Sequence, residues 1–182
     1  GYMDVISMHQ AGFDNATASL GTAFTIQQAM LLKRYTDKVY LAYDSDGAGV
    51  NAAQKAIPIL REVGISARVI NMQPYKDPDE FMKNLGAEEF EKRIAQAESS
   101  LMFQVRIAAG NYNQQDPEGR TQFQQEVVKL VSVLKDPLER DNYIEAIANQ
   151  YFIDKKKLTD SVNRYGKYQI CLLYTSPSPR DT

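Results

Sequence analysis

Val39-Tyr40-Leu41-Ala42-Tyr43-Asp44-Ser45-Asp46-Gly47-Ala48-Gly49 is an apolar run that ends in Asp-x-Asp-Gly. It reads as a buried strand that delivers two carboxylates at the carboxyl edge of a parallel sheet, where open α/β sheets bind their ligands. Alternate residues of an extended segment point the same way, so Asp44 and Asp46 share a direction. Two hard oxygen ligands held together repel each other unless a divalent cation lies between them, and Mg²⁺ or Mn²⁺ is the natural complement. Gly47 and Gly49 permit a tight turn and close approach by phosphate oxygens, while the following helix offers its N-terminus to the same anion. A calcium EF-hand loop is excluded by spacing, since its fifth position would be Ala48 and its twelfth Lys55.

Downstream, Lys76-Asp77-Pro78-Asp79-Glu80-Phe81 repeats the Asp-x-Asp spacing after a second β-like run, with a proline that stiffens it. Two strands that each end in a carboxylate pair would make a site able to hold two metals. Each pair alone also has a structural reading. Asp-x-Asp-Gly is commonly a turn or a helix cap, and Asp79 could cap the helix through Phe81 and Met82. Joint occurrence after successive strands favours the site.

The β-like runs are Asn15 to Ser19, Lys38 to Tyr43 and Ala67 to Met72, each bounded by Gly, Asp or Pro. Helical patterns alternate with them: Met3 to Ala11, Ile26 to Tyr35 behind the N-cap Thr25, and Ala48 to Val63 closed by Gly64, with Ala52, Ala56, Ile59 and Leu60 predicted to face inward. This alternation predicts an α/β fold with a parallel sheet covered by helices. After Gly86 the pattern is helical throughout: Ala87 to about Asn111, Gly119 to Lys135, Leu138 to Gln150 behind Asp136-Pro137, and Lys155 to Tyr165 behind Asp154. Helices without strands form a separate all-α bundle. The expected organisation is therefore 1–97 as the metal-binding α/β domain, 98–169 as a helical subdomain and 170–182 as a disordered, non-native tail. That tail turns rich in Ser and Pro and resembles translated read-through of a sequencing adapter.

Composition is that of an ordinary globular chain, 43% hydrophobic and 24% charged, with no apolar run near the roughly 20 residues that cross a bilayer. No signal peptide pattern opens the chain, so a cytoplasmic setting and no membrane partner are expected. The lone Cys171 and lone His9 cannot build a zinc site or a disulfide framework. His9 reads as a packing or surface residue, and the Tyr and Phe residues read as core. A net charge of −2 is not the basic balance of a self-sufficient nucleic-acid binder. Metal ions in an acidic cleft or a basic domain elsewhere would have to supply the positive field.

Gly1-Tyr2-Met3-Asp4-Val5-Ile6, Ala18-Ser19-Leu20-Gly21-Thr22-Ala23, Tyr43 to Gly49 and Lys76 to Phe81 occur in order, and together they resemble the Toprim domain of DnaG-type bacterial primases. The likeness extends over roughly residues 1 to 165, through Pro137-Leu138-Glu139-Arg140-Asp141-Asn142-Tyr143, which is similar to the C-terminal part of the primase polymerase core. It implies a Toprim-type sheet whose first strand is missing here. It also implies synthesis of short RNA primers on a single-stranded DNA template from nucleoside triphosphates, by in-line displacement at bound Mg²⁺ or Mn²⁺. By the same resemblance Asp44 and Asp46 are catalytic, and Asp44, Asp46, Asp77 and Asp79 bind metal. Asp4, Ser19, Gly21, Thr22, Gly47 and Gly49 line the site. The family motif begins with a glutamate directly before Gly1, and zinc belongs to an N-terminal module that is absent. The fragment alone is therefore expected to be inactive. A replicative helicase is the implied partner, through a C-terminal module that is also absent.

Three other readings compete. A Toprim nuclease or topoisomerase would use the same carboxylates to cleave phosphodiesters, although no catalytic tyrosine is identified. A haloacid-type phosphatase wants a Thr soon after the acidic pair, where Ala48 and Gly49 stand. A non-catalytic nucleic-acid or helicase adaptor on a degenerate Toprim core would show no divalent-metal response.

Overall fold

The structure, a computed structural model, describes residues 2–19 and 23–175, the side chains of 174 and 175 excepted. The chain divides into two compact units, Gly1–Phe103 and Gln104–Thr182.

The first unit holds helices α1 (Tyr2–Gln10), α2 (Ile26–Lys33), α3 (Gly47–Glu62) and α4 (Pro78–Ala95) with strands β1 (Lys38–Leu41), β2 (Ser66–Val69) and β3 (Glu98–Ser99). β1 and β2 pair in parallel with Lys38 opposite Ser66 and Leu41 opposite Val69. β3 joins β2 antiparallel, so the sheet is mixed, with order β1-β2-β3. That last strand is a correction to the expectation that β structure stops at Gly86. Arg68 helps hold it, donating to the Ala97 carbonyl at 2.7 Å. The predicted strand at Asn15 to Ser19 is irregular instead.

Local signals set the helix ends. Thr25 accepts from the Gln28 amide and Gln28 returns a bond to the Thr25 amide, a capping box that starts α2. α3 closes at Val63 and turns out through Gly64 at φ +83°. Its buried face is Ala53, Ala56, Ile57 and Leu60, whereas Ala52 and Ile59 are half-buried; α2 and β2, against which α3 packs, select a stripe rotated from the predicted one. α4 carries a kink at Gly86, whose φ of +78° and ψ of 179° are not helical. Its two ends bury Phe81 and Phe90, which pack with Ile70, Met72 and Ala97 as the core beneath β2 and its loop. Phe13 adds an edge-to-face contact to Phe90 at 5.2 Å.

α5 (Ser100–Asn111) begins at the end of the first unit, and the second unit continues with α6 (Pro117–Ser132), α7 (Pro137–Tyr151) and α8 (Lys155–Thr175). Asp116 and Asp136 cap α6 and α7 ahead of a proline in the first turn, and Asp154 accepts from the Lys157 amide at the start of α8. Phe123, Val127 and Val131 of α6 meet a core completed by Ile144, Ile147 and Ala148 of α7 and Leu158 and Val162 of α8. α6 repeats a device of α3. The third residue after the capping aspartate is a buried glycine, Gly49 after Asp46 and Gly119 after Asp116, because the preceding loop crosses the helix start at the place a Cβ would occupy. α8 continues through Thr175, past the predicted start of the tail at 170, since no helix breaker occurs before Pro177. Residues 176–182 of that tail lie outside the described residues.

Phe152 ends α7 with φ +56° and is 88% exposed. It occupies a left-handed position that side chains resist, without burial to offset the strain. Phe152→Gly is expected to stabilise the chain by about 1 kcal/mol in urea unfolding. A destabilised variant would show that the ring contributes packing beyond its exposure.

Candidate active site

The two acidic loops meet at Ser45. Its amide donates to the Lys76 carbonyl at 2.8 Å, and its hydroxyl donates to the Tyr75 carbonyl at 2.8 Å. The loop that follows β1 is thereby stitched to the loop that precedes α4. Arg93 secures the second loop from the other side, donating to the carbonyls of Asn71 and Gln73 at 2.7 and 2.9 Å while its guanidinium stacks 5.3 Å from the Phe81 ring centre.

Each aspartate has a distinct place. Asp46 caps α3, accepting from the Gly49 amide at 2.8 Å, and its second oxygen faces the Lys76 ammonium at 3.8 Å. Asp77 caps α4 in the same way, accepting from the Glu80 amide at 2.8 Å. The cap of α4 is thus Asp77, whereas the sequence offered Asp79 for it. Asp44 is half-buried and stands on the bend between strand and helix. Burial pushes its carboxyl above the usual carboxylate range, and the negative charges of Asp4, Asp77 and Asp46 push it further. Asp4, on α1, also accepts from the Asp79 amide at 3.1 Å. Asp4, Asp46 and Asp77 therefore all lie near enough to act on Asp44, and among the described residues the four carboxylates make this part of the surface an acidic pocket in charge rather than an assembled ligand set.

Asp79 is bonded differently. Its carboxylate accepts from the Ser7 hydroxyl and from the Lys83 ammonium, the latter at 2.9 Å, and these bonds hold it below the usual carboxylate range. The same pairing raises Lys83. Lys83, four residues on along the helix, was readable from spacing. Ser7, Ser45 and Lys76 were not, because their partners lie far off in sequence. Gly47 and Gly49 open α3, and a Cβ on Gly49 would lie 1.9 Å from the Asp44 carbonyl oxygen. Ser19 is half-buried in the irregular segment after α1, and no hydrogen bond among the described residues joins it to the acidic loops. Gly21 and Thr22 lie outside the described residues.

The donor set suits a hard divalent cation in its chemistry, because several hard carboxylates lie on neighbouring loops and one of them, Asp44, is raised by burial and by its like-charged neighbours. Among the described residues no three carboxylate, imidazole or thiol groups stand in an assembled metal-binding group. A cation would therefore have to draw these side chains together.

The raised carboxyl of Asp44 has a consequence for stability. A carboxyl whose folded-state pKa exceeds its unfolded value favours folding below the unfolded pKa, and that advantage is lost as pH rises through the folded pKa. At neutral pH the charged Asp44 is a net cost. Asp44→Asn is expected to stabilise the metal-free chain at pH 7 by under about 1 kcal/mol, because solvent screens a partly exposed group. The gain should vanish below the ordinary carboxylate range of 3.8. Urea unfolding of both the parent and the variant in EDTA at pH 7 and pH 3 reads this, and a difference between them that is the same at both pH values would refute it.

Among known proteins, a family model described as Toprim-like matches residues 1–82, and one described as the DnaB-helicase binding domain of primase matches residues 101–155. A DNA primase of Clostridium acetobutylicum is 39% identical over 163 residues, which is 90% of this chain and 27% of that protein. A DNA primase of Halalkalibacterium halodurans is 31% identical over 152 residues, 83% of this chain and 25% of that protein. The chain thus spans about a quarter of the length of these curated relatives. Among solved structures, a DnaG catalytic core superposes with a TM-score of 0.68 at 30% identity, covering 87% of this chain and 52% of that one. A DnaG primase catalytic domain bound to ssDNA does so with a TM-score of 0.71 at 30% identity, covering 86% and 51%. The Toprim-like unit with its paired acidic loops, the helical unit that follows it in sequence and the likeness to primases in both sequence and structure place the chain in the family of bacterial DnaG-type DNA primases.

Proposed function

We propose that the acidic pocket is the metal-binding part of a primase active centre, which synthesises short RNA primers on single-stranded DNA from nucleoside triphosphates in the bacterial cytoplasm. The observation that carries this is the stitching of two acidic loops through Ser45, which brings Asp44, Asp46 and Asp77 to one place beside Asp4. Asp44 and Asp46 would hold Mg²⁺ or Mn²⁺, with Asp77 completing the set; Asp79 joins only if it leaves Ser7 and Lys83. When bound, the cation neutralises polyphosphate charge and activates the primer 3′ oxygen. Gly47, with nothing within 4 Å of the place its Cβ would take, leaves room for phosphate at the start of α3, whereas the space beside Gly49 is filled by the Asp44 backbone; Lys76 adds a cation beside Asp46. Residues 1–169 by themselves are expected to make no primers, since they carry one part of a larger polymerase; primer synthesis by this segment on single-stranded template would overturn that. The helicase contact belongs to the helical unit itself rather than only to a module beyond it, in line with the family match at residues 101–155.

Thermal unfolding with Mn²⁺ tests the pocket. At ten times the dissociation constant, binding should stabilise the chain by about 1.4 kcal/mol. The double variant Asp44→Ala, Asp46→Ala should lose that response. If the double variant responds as strongly as the parent sequence, the cation binds elsewhere, and if neither responds, an adaptor role is favoured.

A further inference from the structure

The helical unit carries a second feature that the acidic pocket does not use. Between α6 and α8 lies a groove of about 580 Å³. Every charged residue that lines it is basic: Lys129 from α6, and Lys157 and Arg164 from α8. Among the described residues the side chains of these three form no ion pair or hydrogen bond. Lys155 on the same helix, by contrast, faces Asp141 and Glu145 at 3.8 and 3.9 Å. The acids nearest in sequence, Glu126, Asp154 and Asp160, do not line the groove. A protein of net charge −2 thus gathers three basic side chains and no acidic one along a groove whose remaining lining is neutral or apolar, Val128, Ile153 and Leu158 among it.

Its other walls narrow the choice of anion. Tyr165 and Tyr168 stand about one turn apart along α8 and both line the groove, while Gln124 and Gln125 of α6 offer amides able both to donate and to accept. Cations that track a backbone, aromatic faces for bases and neutral groups for base edges are the means by which proteins hold single-stranded nucleic acid. An acidic peptide would engage the cations but has no use for paired aromatic rings.

We propose that the α6/α8 groove binds single-stranded nucleic acid, with Lys129, Lys157 and Arg164 on phosphates and Tyr165 and Tyr168 against bases. This leans on the primase reading only in choosing nucleic acid among polyanions. The assay omits divalent ions, so failure of the acidic pocket would not affect its outcome.

Fluorescence anisotropy of a labelled twelve-nucleotide oligothymidylate with the full chain in EDTA tests it. Three phosphate contacts on a single strand predict a slope near −2 for log affinity against log salt concentration. The double variant Lys129→Ala, Arg164→Ala should weaken binding at least about tenfold and bring the slope close to −0.7. Tyr168→Leu should weaken binding about tenfold with the slope unchanged. Lys155→Ala should bind like the parent, and circular dichroism melts would confirm that all variants fold. Unchanged affinity in the folded double variant would overturn the proposal. So would displacement of the oligonucleotide by a glutamate-rich peptide at equal charge, which would assign the groove to an acidic protein segment.

Discussion

Gly49→Ala is expected to destabilise the first unit by about 3 kcal/mol, well above the usual effect of adding one methyl group. The added Cβ would sit 1.9 Å from the Asp44 carbonyl oxygen and 2.5 Å from its carbonyl carbon. Both are backbone atoms, so no side-chain rotation relieves the clash. Either the start of α3 moves or the bend at Asp44 opens. Both outcomes disturb the Asp46 cap, which depends on the Gly49 amide. The loss should therefore appear in urea unfolding and again as weakened Mn²⁺ stabilisation. Gly47→Ala is the control: nothing lies within 4 Å of its Cβ, and alanine there should be neutral or mildly stabilising through reduced unfolded-state entropy. Equal behaviour of the two variants would mean that helix propensity, and not the crossing of the loop, governs this turn.

Phe81→Ala should cost about 3–5 kcal/mol, the range for emptying a large buried aromatic site. Phe81 is fully buried and meets Tyr75 and Phe90 edge to face at 6.1 and 5.6 Å. It is also two residues beyond Asp79, so it anchors the start of α4 to the core. A cavity there frees both the Tyr75-Lys76 loop that Ser45 holds and the Arg93 side chain that lies over the ring. Phe81→Leu should lose less, about 1–2 kcal/mol, because part of the volume is kept. Chemical denaturation monitored by circular dichroism decides this. A Phe81→Ala loss below 1 kcal/mol would show that the loop, and not the core, holds this end of α4.

Which parts of the molecule the amino-acid order disclosed follows from how local their causes are. The Thr25, Asp136 and Asp154 caps and the Gly64 exit are written within four residues of where they act, and they were legible, whereas the cap of α4 is Asp77 and not the Asp79 that spacing offered. β1 and β2 were legible as short apolar runs. β3 was not, because Glu98 and Ser99 have no apolar alternation and become a strand only by pairing with Val69 and Arg68. The inward stripe of α3 was displaced from its prediction, since neighbours select among several apolar positions. In the acidic pocket the repeated spacing announced the aspartates but not their duties. Asp77 and Asp46 each commit one oxygen to a helix cap, while Asp79 is held by Lys83 and by Ser7, 72 residues away. Asp4 reaches the pocket only because α1 packs on α4.

The glycines at 49 and 119 bear on how mutational scans of this family should be interpreted. Saturation of every position should reveal two deep, narrow troughs of tolerance at these sites, each one step after a permissive exposed neighbour, Ala48 and Glu118. One trough adjoins the acidic loops and the other merely opens a helix of the bundle. Intolerance at 49 taken alone would invite a chemical explanation, yet its twin at 119 shows that a crossing backbone suffices to forbid every side chain.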